Sequence, residues 1–186
     1  MATPRPELVH RSNVLLDRAR FTTLATHGPR GTWASTVNYV ALRGPLRLLW
    51  CSLREARHSR DIENAPTAPV GGSLFMTGLD TPLGLDGAQY TGTAEPVVGT
   101  RLQELSEYFY RTNFPDEAVR QRLRLPLEEF AGPGPRRFYL LTVREWWVLD
   151  TDGWLRSGRD GRVQVPLEAL HGASAGHGVS SDVPPP

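Results

Sequence analysis

The sequence contains no lysine, because all 21 of its basic residues are arginine. A chain without a side-chain amine cannot form a Schiff base with a carbonyl substrate, so that class of covalent catalysis is excluded. Its single cysteine, Cys51, has no partner for an internal disulfide, which is typical of proteins kept in a reducing compartment. Since Cys51 also lies in an apolar run, we expect a buried and unreactive thiol.

Long hydrophobic runs and a surplus of one charge are also missing. The apolar runs are too short for a transmembrane helix or a secretory leader, so we expect no membrane partner and a cytoplasmic location. The 21 basic and 20 acidic side chains leave a formal net charge of +1. This balance provides no broad field that would attract phosphates, and a nucleic-acid partner is not expected.

Motifs for nucleotide and metal binding are absent as well. The sequence has neither a P-loop nor a G-x-G-x-x-G fingerprint. Its five histidines show no ligand-like spacing with cysteine or carboxylates, and no metal site is predicted.

The length of 186 residues, 39% of them hydrophobic, is enough for one domain with a buried core. Residues 1–20 predict an N-terminal helix, with Pro6 in its first turn. Its apolar face consists of Leu8, Ser12, Leu15, Leu16 and Ala19. Residues 21–170 form the main domain, and residues 171–186, rich in Gly, Ser and Pro, are predicted to be a disordered tail.

Most of the main domain favours β-strands. Residues 21–26, 32–40 and 46–52 predict an antiparallel meander of three strands. Later strands are predicted at residues 88–98 and 137–150.

Two further segments are less regular. Proline and glycine reduce residues 67–75 to an edge or bulged strand, followed by a loop at residues 76–86. The chain then ends in a predicted hairpin with strands at residues 154–157 and 162–165.

Helices interrupt this β pattern at three places. They are predicted at residues 52–64, from a capping box at Thr100 and Gln103 onward, and at residues 116–131 with an interruption at Pro126. Because few helices alternate with strands, the pattern favours a mainly β fold with inserted helices over a parallel α/β fold. We expect a small antiparallel barrel of six to eight strands.

The segment at residues 48–66 is the most informative one for chemistry. A strand ends at Ser52 and leads into the start of an arginine-rich helix that contains Arg57. Free backbone amides at a helix start, a hydroxyl and a guanidinium can together hold a phosphate monoester. Ser52 and Glu55 also fit a capping box, and the arginines also fit a solvated helix face.

The order of these residues resembles the pyridoxamine 5′-phosphate oxidase-like FMN-binding split-barrel superfamily. The resemblance rests on Ser52, on the Arg57-His58 pair five residues later, and on the I-x-N-x-P pattern at residues 62–66. It extends over about residues 20–150 and includes residues 23–26, 89–94 and 139–143. Within the superfamily, the sequence is more similar to a branch of small bacterial proteins than to the vitamin B6 enzyme itself.

The resemblance implies a split-barrel homodimer with FMN at the subunit interface. It assigns the FMN phosphate to Ser52 and Arg57, with His58 in the position of a lysine that also reaches the phosphate. It places the strand Ser35, Thr36, Val37 and Asn38 along the flavin. It also brings Gln89 toward the ring, and at most one of Trp146 and Trp147 over it, since adjacent strand residues point to opposite faces.

Departures from the vitamin B6 enzyme argue against pyridoxamine phosphate as the substrate. That enzyme carries an arginine where this chain has Ser35, and a histidine near its C-terminus that has no counterpart here. The sequence therefore predicts an FMN-dependent oxidoreductase for a small organic substrate, with no catalytic residue assigned. The alternatives are a non-catalytic flavin carrier or sensor, the same fold binding the deazaflavin F420 or haem, and an interaction module without a cofactor.

Overall fold

A computed structural model describes residues 5–170, and the tail predicted at residues 171–186 lies outside this range. The α-helices within it are α1 (Pro6–Arg18), α2 (Arg57–Asn64), α3 (Arg101–Asn113), α4 (Glu117–Leu123) and α5 (Thr151–Ser157). Two 3₁₀ helices are Leu127–Phe130 and Leu167–Ala169. The strands are β1 (Phe21–Gly28), β2 (Gly31–Asn38), β3 (Val40–Leu42), β4 (Arg47–Leu53), β5 (Pro69–Thr77), β6 (Leu85–Pro96), β7 (Arg136–Leu149) and β8 (Arg162–Gln164). No helix in the described range is long and apolar enough to cross a membrane.

These strands form one antiparallel sheet, which confirms the predicted class, mainly β with inserted helices. The strand order is β2-β1-β5-β6-β7-β4-β3, and β8 pairs with β7 beside this path. The two end strands, β2 and β3, are consecutive in the chain with only Tyr39 between them. The sheet must therefore curl until its ends approach each other, as in an open barrel.

The predicted meander is wrong in its pairing. The segment at residues 32–40 breaks at Tyr39 into β2, which pairs with β1, and β3, which pairs with β4. β4 then pairs with the distant β7 instead of β2. The Tyr39 amide donates to the Arg20 carbonyl at 3.3 Å, and this bond holds the corner where the chain passes from one end of the sheet to the other.

Two hydrophobic clusters pack against the sheet. One contains the apolar face of α1 together with Leu48 and Trp50 of β4, and the other contains residues of α3 together with Leu49. Successive residues of β4 thus contribute to different cores on its two faces. Burial on both faces explains why this strand is a continuous apolar run.

α1 is fixed to the sheet by polar contacts as well as by its predicted face, all of which is buried. The buried hydroxyl of Ser12 accepts a hydrogen bond from Trp146 Nε1 at 3.0 Å. Arg11 donates from Nε and from Nη2 to the carboxylate of Asp86, with both distances 2.7 Å. The helix therefore has one fixed position over the curled sheet.

β5 is a central strand, so its prediction as an edge or bulged strand is wrong. It continues to Thr77, inside the predicted loop, and pairs with both β1 and β6. A Cβ at Gly72 would overlap the ring of Tyr90 and come within 2.7 Å of the Thr23 carbonyl oxygen. Glycine is needed here because the neighbouring strands approach closely, and not because the strand is irregular.

The hairpin strand predicted at residues 154–157 is also wrong, because this segment belongs to α5. The Asp150 side chain caps the helix by accepting a hydrogen bond from the Gly153 amide, and Gly158 ends it with a φ of 67°. The second hairpin strand is present as β8 and pairs with the end of β7. The capping box predicted at Thr100 does not form, since its side chain makes no capping hydrogen bond.

Candidate functional site

A cavity of about 460 Å³ opens where β2 and β4 meet α2, α3 and α4. Sites for small molecules and cofactors typically have volumes of about 300–1,000 Å³. The lining residues are Thr36, Val37, Asn38, Cys51, Ser52, His58, Phe109, Tyr110, Phe114 and Leu123. Five of the eight residues predicted to bind a cofactor are among them.

The fold gives this cavity two kinds of wall. β2 lies at the end of the described sheet and pairs with β1 alone, which leaves backbone N–H and C=O groups unpaired along its other edge. α3 and the residue after it contribute the aromatic rings of Phe109, Tyr110 and Phe114. A strand edge together with aromatic side chains suits a planar ligand that carries hydrogen-bonding groups.

His58 connects β2 to β4 through two hydroxyl groups. Its Nδ1 lies 3.1 Å from the Ser35 hydroxyl, and its Nε2 lies 2.8 Å from the Ser52 hydroxyl. Burial lowers the pKa of His58 below its ordinary value of 6.5, and the charge of Asp61 opposes this effect only in part. The imidazole is therefore neutral at pH 7, with one nitrogen donating and the other accepting.

The start of α2 presents free backbone donors beside the cavity. The helix begins after Ala56, while Ser52 belongs to β4, so the predicted capping box of Ser52 and Glu55 does not form. Ala56 provides no side-chain cap, and the first turn contains no acidic residue. Among the residues that the structure describes, the amides of residues 57–59 have no acceptor. Such amides and the helix dipole together attract anions.

Arg57 does not join Ser52 in the cavity lining. Its Nη2 donates to the backbone carbonyls of residues 30–32 at 2.6–3.3 Å. Its guanidinium carbon also lies 4.8 Å from the centre of the Trp33 ring. The side chain therefore ties the turn between β1 and β2 to α2, and its role at a phosphate stays a prediction.

Gln89 lies away from the cavity. It is exposed on β6, where it pairs with Ser73 of β5 and Trp147 of β7. The pairs Ser73–Thr23 and Thr23–Thr36 continue this row to β2, so Gln89 and Thr36 share one face of the sheet. Three strand spacings of about 4.8 Å separate them by about 14 Å.

The two tryptophans considered for the flavin ring lie on opposite sides of β7. Trp146 is fully buried and stacks on Tyr90 in the core beneath α1. Trp147 is half-buried beside Gln89. Only Trp147 is therefore accessible to a ligand on the sheet face that carries Gln89.

The aromatic part of the cavity and the place of Cys51 in it were not predicted from the sequence. The available signal was the run of three aromatic residues at 108–110, which directs rings to more than one side of α3. Burial raises the pKa of Cys51 to about 11, so the thiol is protonated at neutral pH. No cluster of three metal-ligating side chains occurs among residues 5–170.

No protein-family model and no curated protein matches this chain. Among solved structures, a haem-binding protein from Mycobacterium smegmatis is 19% identical with a TM-score of 0.62. That alignment covers 90% of this chain and 61% of the other, so this chain spans about three fifths of the length of that protein.

Two further solved structures match over most of their own length. A candidate pyridoxamine 5′-phosphate oxidase from Listeria innocua is 14% identical with a TM-score of 0.53, covering 77% of this chain and 99% of that one. An FAD-binding protein from Mesorhizobium loti is 10% identical with a TM-score of 0.53, covering 74% and 88%. At these identities the similarity concerns the fold alone, and it confirms the split-barrel fold that the sequence resemblance implies.

Proposed function

We propose that the protein binds FMN in the cavity between β2 and α3 and acts as an FMN-dependent oxidoreductase on a small organic substrate. One observation carries the proposal. The cavity, which is bounded by a strand edge and aromatic side chains, is lined by Ser52 and by His58, and His58 belongs to the first turn of α2, whose amides have no acceptor among the described residues. The amides and the hydroxyl suit a phosphate, and the strand edge and the rings suit a flavin.

Ser52, His58 and the amides of residues 57–59 would hold the phosphate. The Ser52 hydroxyl now bonded to His58 can turn toward a phosphate oxygen. A phosphate dianion beside His58 would favour the imidazolium form, which donates from both nitrogens. Arg57 would have to leave the carbonyls of residues 30–32 to take part, so its contribution is secondary.

Residues 35–38 and the aromatic side chains of α3 would hold the ring. Unpaired backbone groups of β2 would bond to the polar edge of the flavin, while Phe109, Tyr110 and Phe114 would exclude water from it. A bound flavin supplies the transfer of electrons, and the protein supplies position and shielding. A carrier or sensor would share this binding mode, so turnover with a reductant and an electron acceptor separates it from an oxidoreductase.

Haem is the second candidate, because the Mycobacterium smegmatis protein of this fold binds haem. His58 is not free to bind the haem iron, because both of its ring nitrogens form hydrogen bonds with hydroxyl groups. One of these hydrogen bonds would have to break before His58 could act as an iron ligand. The absorption spectrum of the purified protein distinguishes FMN, F420 and haem, which has a Soret band.

We also propose that two copies of the chain pair through the face of the sheet that carries Gln89. Gln89 of the same chain lies about 14 Å from Thr36 along the sheet, and it does not line the cavity. A second copy placed against this face can supply its own Gln89 to the ring. Both copies would then be needed to complete each site.

A comparison of FMN with riboflavin tests the proposed phosphate site. Riboflavin has the same ring and ribityl chain but no phosphate. In fluorescence titrations of the full chain we expect FMN to bind at least about tenfold more tightly, since a charge-assisted hydrogen bond contributes about 1.5–3 kcal/mol. Ser52→Ala should weaken FMN binding by about tenfold and leave riboflavin binding unchanged.

Ser157→Ala, in α5, is the matched serine control and should bind both flavins as the wild type does. Equal affinities of the wild type for FMN and riboflavin would show that the protein does not bind the phosphate group of FMN. Failure to bind either flavin would overturn the flavin assignment altogether.

A further inference from the structure

Ser52, His58 and Ser35 form a chain of hydrogen bonds at the cavity between β2 and α3. The Ser52 hydroxyl lies 2.8 Å from Nε2 of His58, and Nδ1 of the same ring lies 3.1 Å from the Ser35 hydroxyl. Ser52 and His58 both line the cavity, and Ser52 keeps part of its surface exposed. A nucleophile, a base and a group that orients the base make the same series of contacts in enzymes that transfer acyl groups.

The protonation of His58 suits the role of a base. Burial holds its pKa below the ordinary value of 6.5, so the ring is neutral at pH 7 and one nitrogen can accept a proton. Ser35 and Ser52 form no other side-chain hydrogen bond among residues 5–170. With its proton on Nδ1, the ring donates to Ser35, and Nε2 can then accept the proton of the Ser52 hydroxyl.

Cys51 also lines the cavity but is not activated as a nucleophile. Burial raises the pKa of its thiol to about 11, and the thiolate is the reactive form of cysteine. Both ring nitrogens of His58 are bonded to Ser35 and Ser52, so His58 does not take the thiol proton. Ser52 is therefore the nucleophile that the geometry favours.

The lining of the cavity indicates a substrate with neutral groups. Its apolar side consists of Phe109, Tyr110, Phe114 and Leu123. None of the lining residues in the described chain is Asp, Glu, Lys or Arg, so no side chain offers an ion pair to a charged acyl or alcohol group. The volume of about 460 Å³ is sufficient for a small aromatic ester.

We propose that the chain without bound flavin hydrolyses small neutral esters, with Ser52 as the nucleophile and His58 as the base. The Ser52 oxygen attacks the ester carbonyl carbon while Nε2 of His58 takes the hydroxyl proton. The bond to the alcohol oxygen then breaks, the alcohol leaves with that proton, and the acyl group remains on Ser52. Water gives a proton to His58 and attacks the acyl group, which releases the carboxylic acid, and His58 returns the proton to Ser52.

The start of α2 provides groups that can stabilise the charges of this reaction. His58 belongs to the first turn of the helix, whose amides have no acceptor among the described residues. Backbone N–H groups of this kind stabilise the negative oxygen of a tetrahedral intermediate. Ser35 is a hydroxyl where a serine hydrolase has a carboxylate, so it stabilises the imidazolium less. Esters with a good leaving group are therefore the substrates that suit this site.

Hydrolysis of 4-nitrophenyl acetate by the full chain tests the proposal. Flavin is left out, and its absence is checked by the absorption spectrum, because its phosphate is proposed to contact Ser52. Ser52→Ala and His58→Gln should each lower kcat by about a hundredfold or more, since general acid–base catalysis contributes about 10²–10⁴-fold. Ser157→Ala, which is exposed on α5, is the matched serine control and should keep the rate of the wild type.

Covalent labelling identifies the nucleophile without a variant. Phenylmethylsulfonyl fluoride should inactivate the wild type and transfer its sulfonyl group to Ser52, with loss of fluoride. Peptide mass spectrometry then locates the group. Equal rates for the wild type and Ser52→Ala, or a sulfonyl group on another residue, would overturn the proposal. Because the assay contains no flavin, these outcomes do not depend on FMN binding.

Ser35 acts as a positioning residue for His58. Ser35→Ala should lower kcat by about tenfold through the loss of one hydrogen bond and leave KM unchanged. Ser35→Thr keeps the hydroxyl and should restore kcat to within about threefold of the wild type, a difference of less than about 0.7 kcal/mol. An unchanged kcat in Ser35→Ala would show that Ser35 does not orient the imidazole.

Discussion

At the scale of single residues, His58 links protonation to the candidate site. Its ring is buried and neutral between the hydroxyls of Ser35 and Ser52. A neutral imidazole is compatible with this surrounding, whereas an imidazolium would be a buried cation without a counter-ion in contact. Protonation of His58 at low pH should therefore destabilise the folded protein.

The free energy of unfolding should fall as the pH drops below about 6.5 through the contribution of His58. Its pKa in the folded state is lower than its ordinary value of 6.5, so the unfolded chain binds more protons in the interval between the two values. The contribution of His58 to the free energy of unfolding is fully present above pH 6.5 and decreases below this pH. It stops changing once the pH is below the folded-state pKa. One proton contributes at most about 1.4 kcal/mol per pH unit.

Urea unfolding of the wild type and of His58→Gln between pH 5 and pH 8 measures this slope. The variant should lose it, so the difference in unfolding free energy between the two proteins should shrink with acid. His27→Gln, exposed near the end of β1, should keep the slope of the wild type. Parallel curves for the wild type and His58→Gln would show that this histidine does not carry the effect.

At the scale of elements, segments with a local cause could be predicted and those decided by distant partners could not. The face of α1 follows from helical spacing of its apolar residues, and all of it is buried. β5 has the composition of an irregular strand, yet its Gly72 allows β1 and β6 to approach from both sides. α5 depends on a cap from Asp150, which a pattern of alternating residues does not reveal.

The position of α1 over the sheet depends on the ion pair between Arg11 and Asp86. Asp86 keeps only 2% of its side chain exposed, so Arg11→Met leaves a buried carboxylate without its partner. We expect a loss of about 3–5 kcal/mol in unfolding free energy. The double variant Arg11→Met/Asp86→Leu should recover much of this loss.

Chemical denaturation of the three proteins provides the measurement. Arg101→Met is a suitable control, because its pair with Glu95 is exposed and has a separation of 3.6 Å, and its loss should cost less than about 1 kcal/mol. A loss of similar size in Arg11→Met and Arg101→Met would contradict a structural role for the buried pair.

At the scale of the whole molecule, the strand order determines which predicted residues can act together. Thr36, Val37, Asn38, Ser52 and His58 come from neighbouring segments of the chain and meet in one cavity. Gln89 lies on the strand that the resemblance implies and on an accessible face of the sheet. In the strand order β2-β1-β5-β6, however, β1 and β5 lie between Gln89 and β2. Sequence resemblance carries residue identities and not the pairing of distant strands, so this separation could not be predicted.

The sheet face that carries Gln89 also has exposed aromatic side chains, as a protein-binding surface does. Phe21 and Phe75 are 59% and 63% exposed, and continuing the register of the pair Thr23–Ser73 brings them opposite each other on β1 and β5. Exposed aromatic residues beside a row of small polar ones are typical of surfaces that bind another protein. Pairing of two copies here would bury the aromatic side chains and bring the Gln89 of one copy toward the cavity of the other.

Phe75→Arg should therefore convert a dimer into a monomer. Light scattering of the wild type should give the mass of two chains, and the variant should dissociate at least about a hundredfold more readily because each copy would bury an unpaired charge. Leu155→Arg, which is 51% exposed on α5, should remain dimeric. FMN affinity should fall in Phe75→Arg together with the mass, since each proposed site needs Gln89 from the second copy. A monomeric wild type, or a Phe75→Arg monomer that binds FMN as tightly as the wild type, would show that one chain completes its own site.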